Sequence, residues 1–232
     1  MRPSLSNLLG AAVLIAVGFA GAARAAELAT HMTERGKLIF SDDLTQPLGK
    51  EWKTGKGKWE VVGGVIRGSE IPADKHGAVT RRPMPAKNAV IQYSFKFEGA
   101  KGTTLSVNSA KEHVCRVVFN PSNMIARKDD QDHAGPNEAA TLETVSAPLA
   151  DGQWHTVVVE LLGPEMFVTL DGKLTAYGSH PEIDVDKANI GLTVAGEFVS
   201  FKDLKVWEAT ASPAWPAERE KRKTTARASV QK

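Results

Sequence analysis

Apolar and polar residues alternate through most of the chain between residues 37 and 209, the pattern of strands that bury one face. The clearest case is Ala89–Phe97, in which the odd positions from Ile91 onward are apolar and the even positions from Gln92 onward are polar. About a dozen such short segments, separated by turn residues and without a long amphipathic helix, predict an all-β sandwich of two antiparallel sheets.

Glycine-containing turns divide this pattern into hairpins. Gly63-Gly64 and Asp171-Gly172 each join two short apolar runs, and both dipeptides favour the positive backbone dihedrals of tight hairpin turns. The last predicted hairpin pairs Asn189–Val194 with Val199–Trp207. Everything upstream is expected to pack on this C-terminal set of strands.

Two stretches resemble a known family. They are GKWEVVGGVIRG at residues 57–68 and the set WHTVVVE, VTLDGK, NIGLTV and VSFKDLKVW within residues 154–207. Together they are similar to concanavalin A-like lectin/glucanase domains and, more narrowly, to the 3-keto-disaccharide hydrolase family, also described as 3-keto-glucoside 1,2-lyase/3-keto-2-hydroxy-glucal hydratase. The resemblance covers residues 37–208 and implies a jelly-roll β-sandwich.

The first 25 residues read as an export signal, with Arg2, an apolar run at Leu8–Ala22 and the cleavage-type sequence Ala23-Arg24-Ala25. We therefore predict a secreted or periplasmic protein, cleaved near Ala25, that keeps no stable membrane insertion. Residues 26–36 are predicted to be a linker, 37–209 the sandwich domain and 210–232 a disordered basic tail.

Charge and cysteine usage narrow the classes of partner. The formal net charge is +2 in 232 residues, which indicates no nucleic-acid partner. The single cysteine, Cys115, excludes a disulfide within one chain and shares a strand face with Val117 and Phe119, so we expect a buried structural thiol.

An open sheet face is where a sandwich can hold a sugar, and strand alternation suggests which residues line it. The expected lining residues are Gln92, Ser94, Lys96, Ser106, Asn108 and Arg116. Arg116 is the most specific of these, because a guanidinium between valines either faces the cleft or pairs with an acid on the outer surface.

Three loops combine histidine with acids, at residues 74–76, 127–133 and 178–186. Histidine transfers protons near neutral pH, and an adjacent carboxylate fixes its tautomer. Asp129, Asp130, Asp132 and His133 could also hold a divalent cation, but their spacing matches no established motif, so no cofactor is predicted.

We interpret the chain as an exported carbohydrate-active enzyme. The resemblance implies an elimination at a 3-keto-glycoside followed by hydration, which needs a base, a donor to the enolate oxygen and an acid. The expected base is His133 or His76, the enolate stabiliser Arg116 or Lys128, and the partner Asp129 or Asp130. Arg116, Asn108, Lys96, Lys75 and His180 are expected to bind the sugar.

One departure and two alternatives accompany this interpretation. Family members often carry N-S-G-(V/I)-x-x-R near the cleft, whereas this chain has GTTLSVNSAKEHVCRVVF at residues 102–119. The same fold could serve as a non-catalytic glycan-binding module. A structural cell-surface protein is the third possibility.

Overall fold

A computed structural model describes residues 26–130 and 135–230. Antiparallel strands make up most of these residues. They are β1 (Thr33–Asp42), β2 (Lys53–Lys56), β3 (Lys58–Val62), β4 (Val65–Ser69), β5 (Ala78–Ala86), β6 (Ala89–Asn108), β7 (His113–Asn120), β8 (Asn123–Lys128), β9 (Ala140–Ser146), β10 (Trp154–Leu162), β11 (Glu165–Leu170), β12 (Leu174–Ser179) and β13 (Lys187–Ala211). Single 3-10 turns lie at Pro72–Asp74 and Pro181–Ile183, and helix α1 spans Trp215–Val230.

Two long strands, β6 and β13, pair with each other and run through both layers of the molecule. In the first layer, the N-terminal part of β6 continues to β10, β11 and β12, while the C-terminal part of β13 pairs with β1 and β4. In the second layer, the C-terminal part of β6 continues to β7, β8 and β9, while the N-terminal part of β13 continues to β5 and β2. The hydrogen bonding is therefore continuous between the layers.

A sharp bend in β6 and β13 folds this continuous sheet onto itself. Phe119 of β7 pairs through its backbone with Thr103 of β6. Its ring centroid nevertheless lies 4.8 Å from that of Phe95, which precedes Thr103 by eight residues in β6. A straight strand would separate those two positions by about 26 Å. Gly99 (φ +83°) and Gly196 (φ +86°) lie at the bend with positive φ, which glycine adopts readily. The predicted two-layered all-β architecture is confirmed.

The core between the layers is continuous and apolar, as the alternation predicted. The ring cluster of Tyr93, Phe95 and Phe97 from β6 is almost fully buried. Cys115 is buried there too, and burial raises the pKa of its thiol to about 12. The thiol therefore stays protonated and structural, as expected from the sequence.

The segment predicted to be a linker, residues 26–36, instead belongs to the folded domain. The buried Glu160 carboxylate accepts hydrogen bonds from the backbone N–H groups of His31, Met32 and Thr33 at 2.9, 2.8 and 2.7 Å. The Gln92 side chain accepts from Leu28 N–H. Composition alone missed these long-range contacts, and the predicted signal, residues 1–25, lies outside the described residues.

The C-terminal region also differs from the predicted disordered tail. β13 extends to Ala211, and the next segment places Trp215, only 3% exposed, at the start of α1. Its ring centroid lies 5.7 Å from Phe167 and 5.3 Å from Tyr177. This aromatic contact holds the first turn of the helix on the first layer. Within the residues the structure describes, no helix is long and apolar enough to cross a membrane.

Candidate functional site

The outer face of the first layer is largely covered. Leu28 packs there against Val90, Val158 and Trp207. A cavity of about 550 Å³ remains beside Trp154, but its charged groups already pair within it. Lys96 lies 2.5 Å from Glu98, and Glu98 also accepts from Ser200. This face therefore offers little unpaired chemistry.

The outer face of the second layer is open and polar. Five residues on consecutive strands form one cross-strand row, namely Arg81, Gly191, Ser106, Arg116 and Arg127. Arg81 and Arg116 are separated by three strand spacings, about 14 Å along the sheet. The two positions between them, Gly191 and Ser106, are buried, and the open groove of this face lies beside this row, where Arg81, Asn108, His113 and Asn189 line it.

A hydrogen-bonded chain in the adjacent row fixes the tautomer of His113. Asn108 Nδ2 donates to Asn189 Oδ1 at 2.8 Å, which leaves Asn108 Oδ1 to accept a hydrogen bond from His113 Nδ1. The proton of a neutral imidazole is therefore on Nδ1, and Nε2 keeps its lone pair. Arg81 and these three residues line one cavity of about 350 Å³.

The environment of His113 keeps its ring neutral. Burial of the ring lowers its pKa below the ordinary value of 6.5, the charges of Asp129 and Glu112 oppose this shift, and those of Arg116 and Arg81 add to it. At neutral pH, His113 is thus an unprotonated imidazole. A neutral imidazole with a free Nε2 is a suitable general base.

Asp129 orders the two neighbouring guanidinium groups. Its carboxylate is only 1% exposed, forms an ion pair with Arg116, and lies 4.0 Å from Arg127 Nε. Two cations and one anion leave one positive charge in excess. A guanidinium group held in this way can stabilise an oxyanion without reorganising.

The structure divides the face expected from the sequence. Asn108, Ser106 and Arg116 lie together on the second layer, but Lys96 lies on the outer face of the first layer, as do Gln92 and Ser94. The bend in β6 is the reason, since residues that share a strand face before and after it look outward on opposite sides. Lys96 is therefore not part of the groove.

Lys128, expected beside Asp129 as an enolate stabiliser, points the other way. It has the same strand orientation as the buried Met124 and Ala126 and is itself 1% exposed. Its ammonium donates to the Asn137 and Glu138 carbonyl oxygens and pairs with Glu182. Lys128 therefore closes the end of the sandwich and does not face the groove. Asp130, which follows, is 2% exposed.

The two histidine loops that the structure describes in full, at residues 74–76 and 178–186, lie apart. His76 is exposed beside Lys75, with its Nδ1 2.7 Å from the Gly77 oxygen, close to Val194, where the second-layer part of β13 ends. His180 caps the 3-10 turn Pro181–Ile183, which leads to the opposite end of that strand segment. His133 lies outside the described residues, so its role stays a prediction.

Sequence reasoning missed two residues of the groove, His113 and Arg81. Strict alternation puts His113 on the same side as Cys115, but a register irregularity lies between Val107 and Asn108, where His113 pairs. The irregularity turns the ring outward. For Arg81, a charged residue inside a strand just before Pro83 was the available signal.

Two other kinds of site find no support in the described residues. There, no group of three or more His, Cys, Asp or Glu side chains is placed to hold a metal ion. The paired residues of β6, β7 and β8 on the second layer include no carboxylate, whereas retaining glycosidases need two about 5 Å apart. The acidic run Glu182–Asp186 begins within a 3-10 turn, not in a strand.

Comparison with known families decides the assignment. Residues 42–207 match the family described as the 3-keto-alpha-glucoside-1,2-lyase-like domain. This chain belongs to that family. The resemblance seen in the sequence is therefore confirmed, whereas the comparison with curated proteins found no significant match.

Solved structures place the 3-keto-alpha-glucoside-1,2-lyase-like domain in the concanavalin A-like fold. The carbohydrate-binding module CBM66 from Bacillus subtilis is 14% identical, with a TM-score of 0.56 over 68% of this chain and 96% of that one. A GlcNAcα1-4Gal-releasing endo-β-galactosidase from Clostridium perfringens is 10% identical (TM-score 0.58; 79% and 64% covered). A laminarinase from Flavobacterium sp. UMI-01 is 10% identical (TM-score 0.53; 74% and 100% covered). At these identities the structures show a shared fold, and the carbohydrate-active type of the domain rests on the family match.

Proposed function

We propose that this protein cleaves 3-keto-glycosides by elimination and then hydrates the product. The observation that carries the proposal is His113, a neutral imidazole with a free Nε2 in the cavity that Arg81 also lines. His113 lies on the outer sheet face of a domain that belongs to the 3-keto-alpha-glucoside-1,2-lyase-like family.

The chemistry follows from the acidity of the substrate. A carbonyl at sugar carbon 3 acidifies the hydrogen on carbon 2, and His113 Nε2 removes that proton. The electron pair enters an enolate, then forms the carbon 1–carbon 2 double bond as the bond from carbon 1 to the glycosidic oxygen breaks. Protonated His113 returns its proton to the departing oxygen, and water adds across the double bond to give the free 3-keto sugar.

Arg116 is suited to the developing negative charge on the carbonyl oxygen. Asp129 holds its guanidinium, and the excess positive charge of the Arg116–Asp129–Arg127 group favours an oxyanion. The base and the oxyanion stabiliser therefore lie in adjacent rows of one sheet. Elimination requires both within reach of one sugar ring.

The test is product analysis after incubation with native and 3-keto disaccharides, with and without a chelator. We expect turnover of the 3-keto form only, and His113→Gln should lower kcat by about 10² to 10⁴-fold because glutamine accepts no proton. His76→Gln, a matched change at an exposed histidine close to Val194, should leave kcat unchanged.

A His133→Gln variant separates the two candidate bases. If His133→Gln abolishes turnover while His113→Gln retains it, the assignment of the base is wrong. Measurable sugar binding with no product from any 3-keto substrate would instead favour the glycan-binding module, the function of the similarly folded CBM66.

We also propose that the chain is exported and cleaved after Ala25. Support comes from residue 26 onward, where Gln92 Nε2 donates to the Ala26 oxygen at 3.1 Å and Leu28 packs on the first layer. Mass spectrometry of protein recovered outside the cytoplasm should give a chain that begins at Ala26. An intact N-terminus in that fraction would contradict cleavage.

A further inference from the structure

Positive charge is in excess around the groove. Lys53 lies opposite Arg81 in the β2–β5 backbone pairing, at one end of the cross-strand row. Arg116 and Arg127 lie at the other end. Two carboxylates act on His113 from the ends of the neighbouring strands, Asp129 just after β8 and Glu112 just before β7. The groove therefore carries more cations than its own acids neutralise.

Arg81, like Lys53 beside it, forms no ion pair with a described residue. Its side chain is exposed, and no carboxylate among the described residues lies within ion-pairing distance of it. Its neighbour Arg82, in contrast, pairs with Asp42 and stacks over the Phe40 ring. A guanidinium offers five donors in a fixed fork that matches a carboxylate or a sulfate.

The row between the two arginines is closely packed at Gly191. A Cβ at this position would lie 2.6 Å from Ser106 Oγ and 3.4 Å from Arg81 Cγ. Gly191 and Ser106 are both buried, so the open space lies beside them, in the cavity that Arg81 lines with Asn108, His113 and Asn189. A ligand ring held over His113 there can place a second substituent at Arg81.

We propose that this groove selects glycosides that carry an acidic group, a carboxylate or a sulfate ester, which pairs with Arg81. Elimination itself creates one negative charge, and Arg116 is placed to take it. Arg81 is thus available for a charge that the substrate brings. The inference rests on the proposed function for the position of the reacting ring, but the binding preference can be measured without turnover.

The experiment is calorimetric titration with a matched set of disaccharides that are neutral, oxidised at carbon 6 to the carboxylate, or sulfated at that position. At pH 8, where His113 is neutral, we expect wild-type protein to bind one of the acidic forms at least about tenfold more tightly than the neutral form. The preference should shrink as salt is added. Comparing the affinities for the carboxylate and the sulfated disaccharide identifies which acidic group is recognised.

In Arg81→Gln, the ratio of the affinities for the acidic and the neutral disaccharide should be close to one. The control is Lys173→Gln, which removes the same charge from an exposed turn between β11 and β12 on the other layer, and it should keep the preference. Melting temperature confirms that both variants are folded.

Equal wild-type affinity for neutral and acidic forms would overturn the inference, as would a preference that survives in Arg81→Gln. Turnover of a neutral 3-keto disaccharide is assayed separately. Turnover without any charge preference would refute only the inference, whereas a charge preference without turnover would refute only the proposed reaction.

Discussion

Substitutions at Gly191 would displace Ser106 Oγ and the Arg81 side chain beside the groove without disturbing the core. Gly191 faces outward between the buried Ile190 and Leu192, and its φ lies outside the left-handed region, so its backbone accepts any L-residue. A new Cβ meets Ser106 Oγ at 2.6 Å, which is the movable end of a side chain, and otherwise only atoms at 3.4 Å or beyond. The series Gly191→Ala and Gly191→Leu therefore adds side-chain volume next to Ser106 and Arg81 in two steps.

The stability terms nearly cancel for Gly191→Ala. Replacing glycine by alanine in a strand gains about 0.5–1 kcal/mol from the lower entropy of the unfolded chain. Turning Ser106 Oγ away loses its long, 3.5 Å hydrogen bond to the Gly191 oxygen, at most about 1 kcal/mol. The free energy of unfolding should change by less than about 1 kcal/mol, a shift of only a few degrees in Tm.

Function should respond much more strongly than stability. A sugar ring displaced by about 1 Å loses alignment with the base, which can cost about 100-fold in rate. We expect kcat/KM on a 3-keto disaccharide to fall about tenfold for Gly191→Ala and more than about 100-fold for Gly191→Leu. Urea unfolding and steady-state kinetics measure the two effects on the same samples.

Adding Ser106→Ala distinguishes strain from added volume. It removes the atom that the new Cβ meets, so any stability lost in Gly191→Ala should return in the double variant. The catalytic loss should remain for Gly191→Leu. Normal kcat/KM in a folded Gly191→Leu protein would show that the sugar does not lie beside this position, and the reasoning about the site would be wrong.

Two further predictions concern the base and the N-terminal segment. His113 must be unprotonated to act as the base, and its pKa is lowered, so kcat/KM should stay constant to below pH 6.5 and fall only as the pH drops through the lowered pKa. Arg81→Gln removes a charge that lowers the pKa of His113, so this fall should move to higher pH. A fall at the same pH in Arg81→Gln would exclude His113 as the titrating base. Glu160→Gln leaves three backbone N–H groups without a charged acceptor, so urea unfolding should show a loss of about 2–4 kcal/mol, with faster hydrogen exchange at residues 31–33; unchanged exchange there would contradict the docked segment.

The sequence predicted the fold well because alternation and turn chemistry are local. The hairpin turns at Gly63-Gly64 and Asp171-Gly172 lie where expected, and all four residues have positive φ. The buried face of Ala89–Phe97 was also assigned correctly, since one period-2 pattern covers the whole segment. Local patterns therefore sufficed for these two turns and the core, but the last predicted hairpin was wrong. Residues 189–194 and 199–207 do not pair with each other but lie in one bent strand, β13.

The candidate site was predictable only in part, because it depends on irregular positions. Asn108 and Arg116 were placed on one face correctly, but Lys96 was grouped with them across the bend in β6. The register irregularity before His113 reversed the orientation expected from alternation, and the same pattern gave no sign that Lys128 would face inward while Asp129 faces the groove. Bends and bulges change which side chains meet, and they arise from long-range pairing that alternation does not encode.

The N-terminal segment explains why function belongs to the second layer. The outward positions of the first layer include Val90, Val158 and Trp207, an apolar surface that Leu28 covers. Along the same long strand β6, the outward positions of the second layer are the polar Ser106 and Asn108, and Asn108 lines the cavity beside His113. The Glu160 contact that holds the segment lies on the opposite side of the core from Gly191. Glu160→Gln and Gly191→Ala should therefore be additive in stability, and only the Gly191 substitution should alter sugar binding.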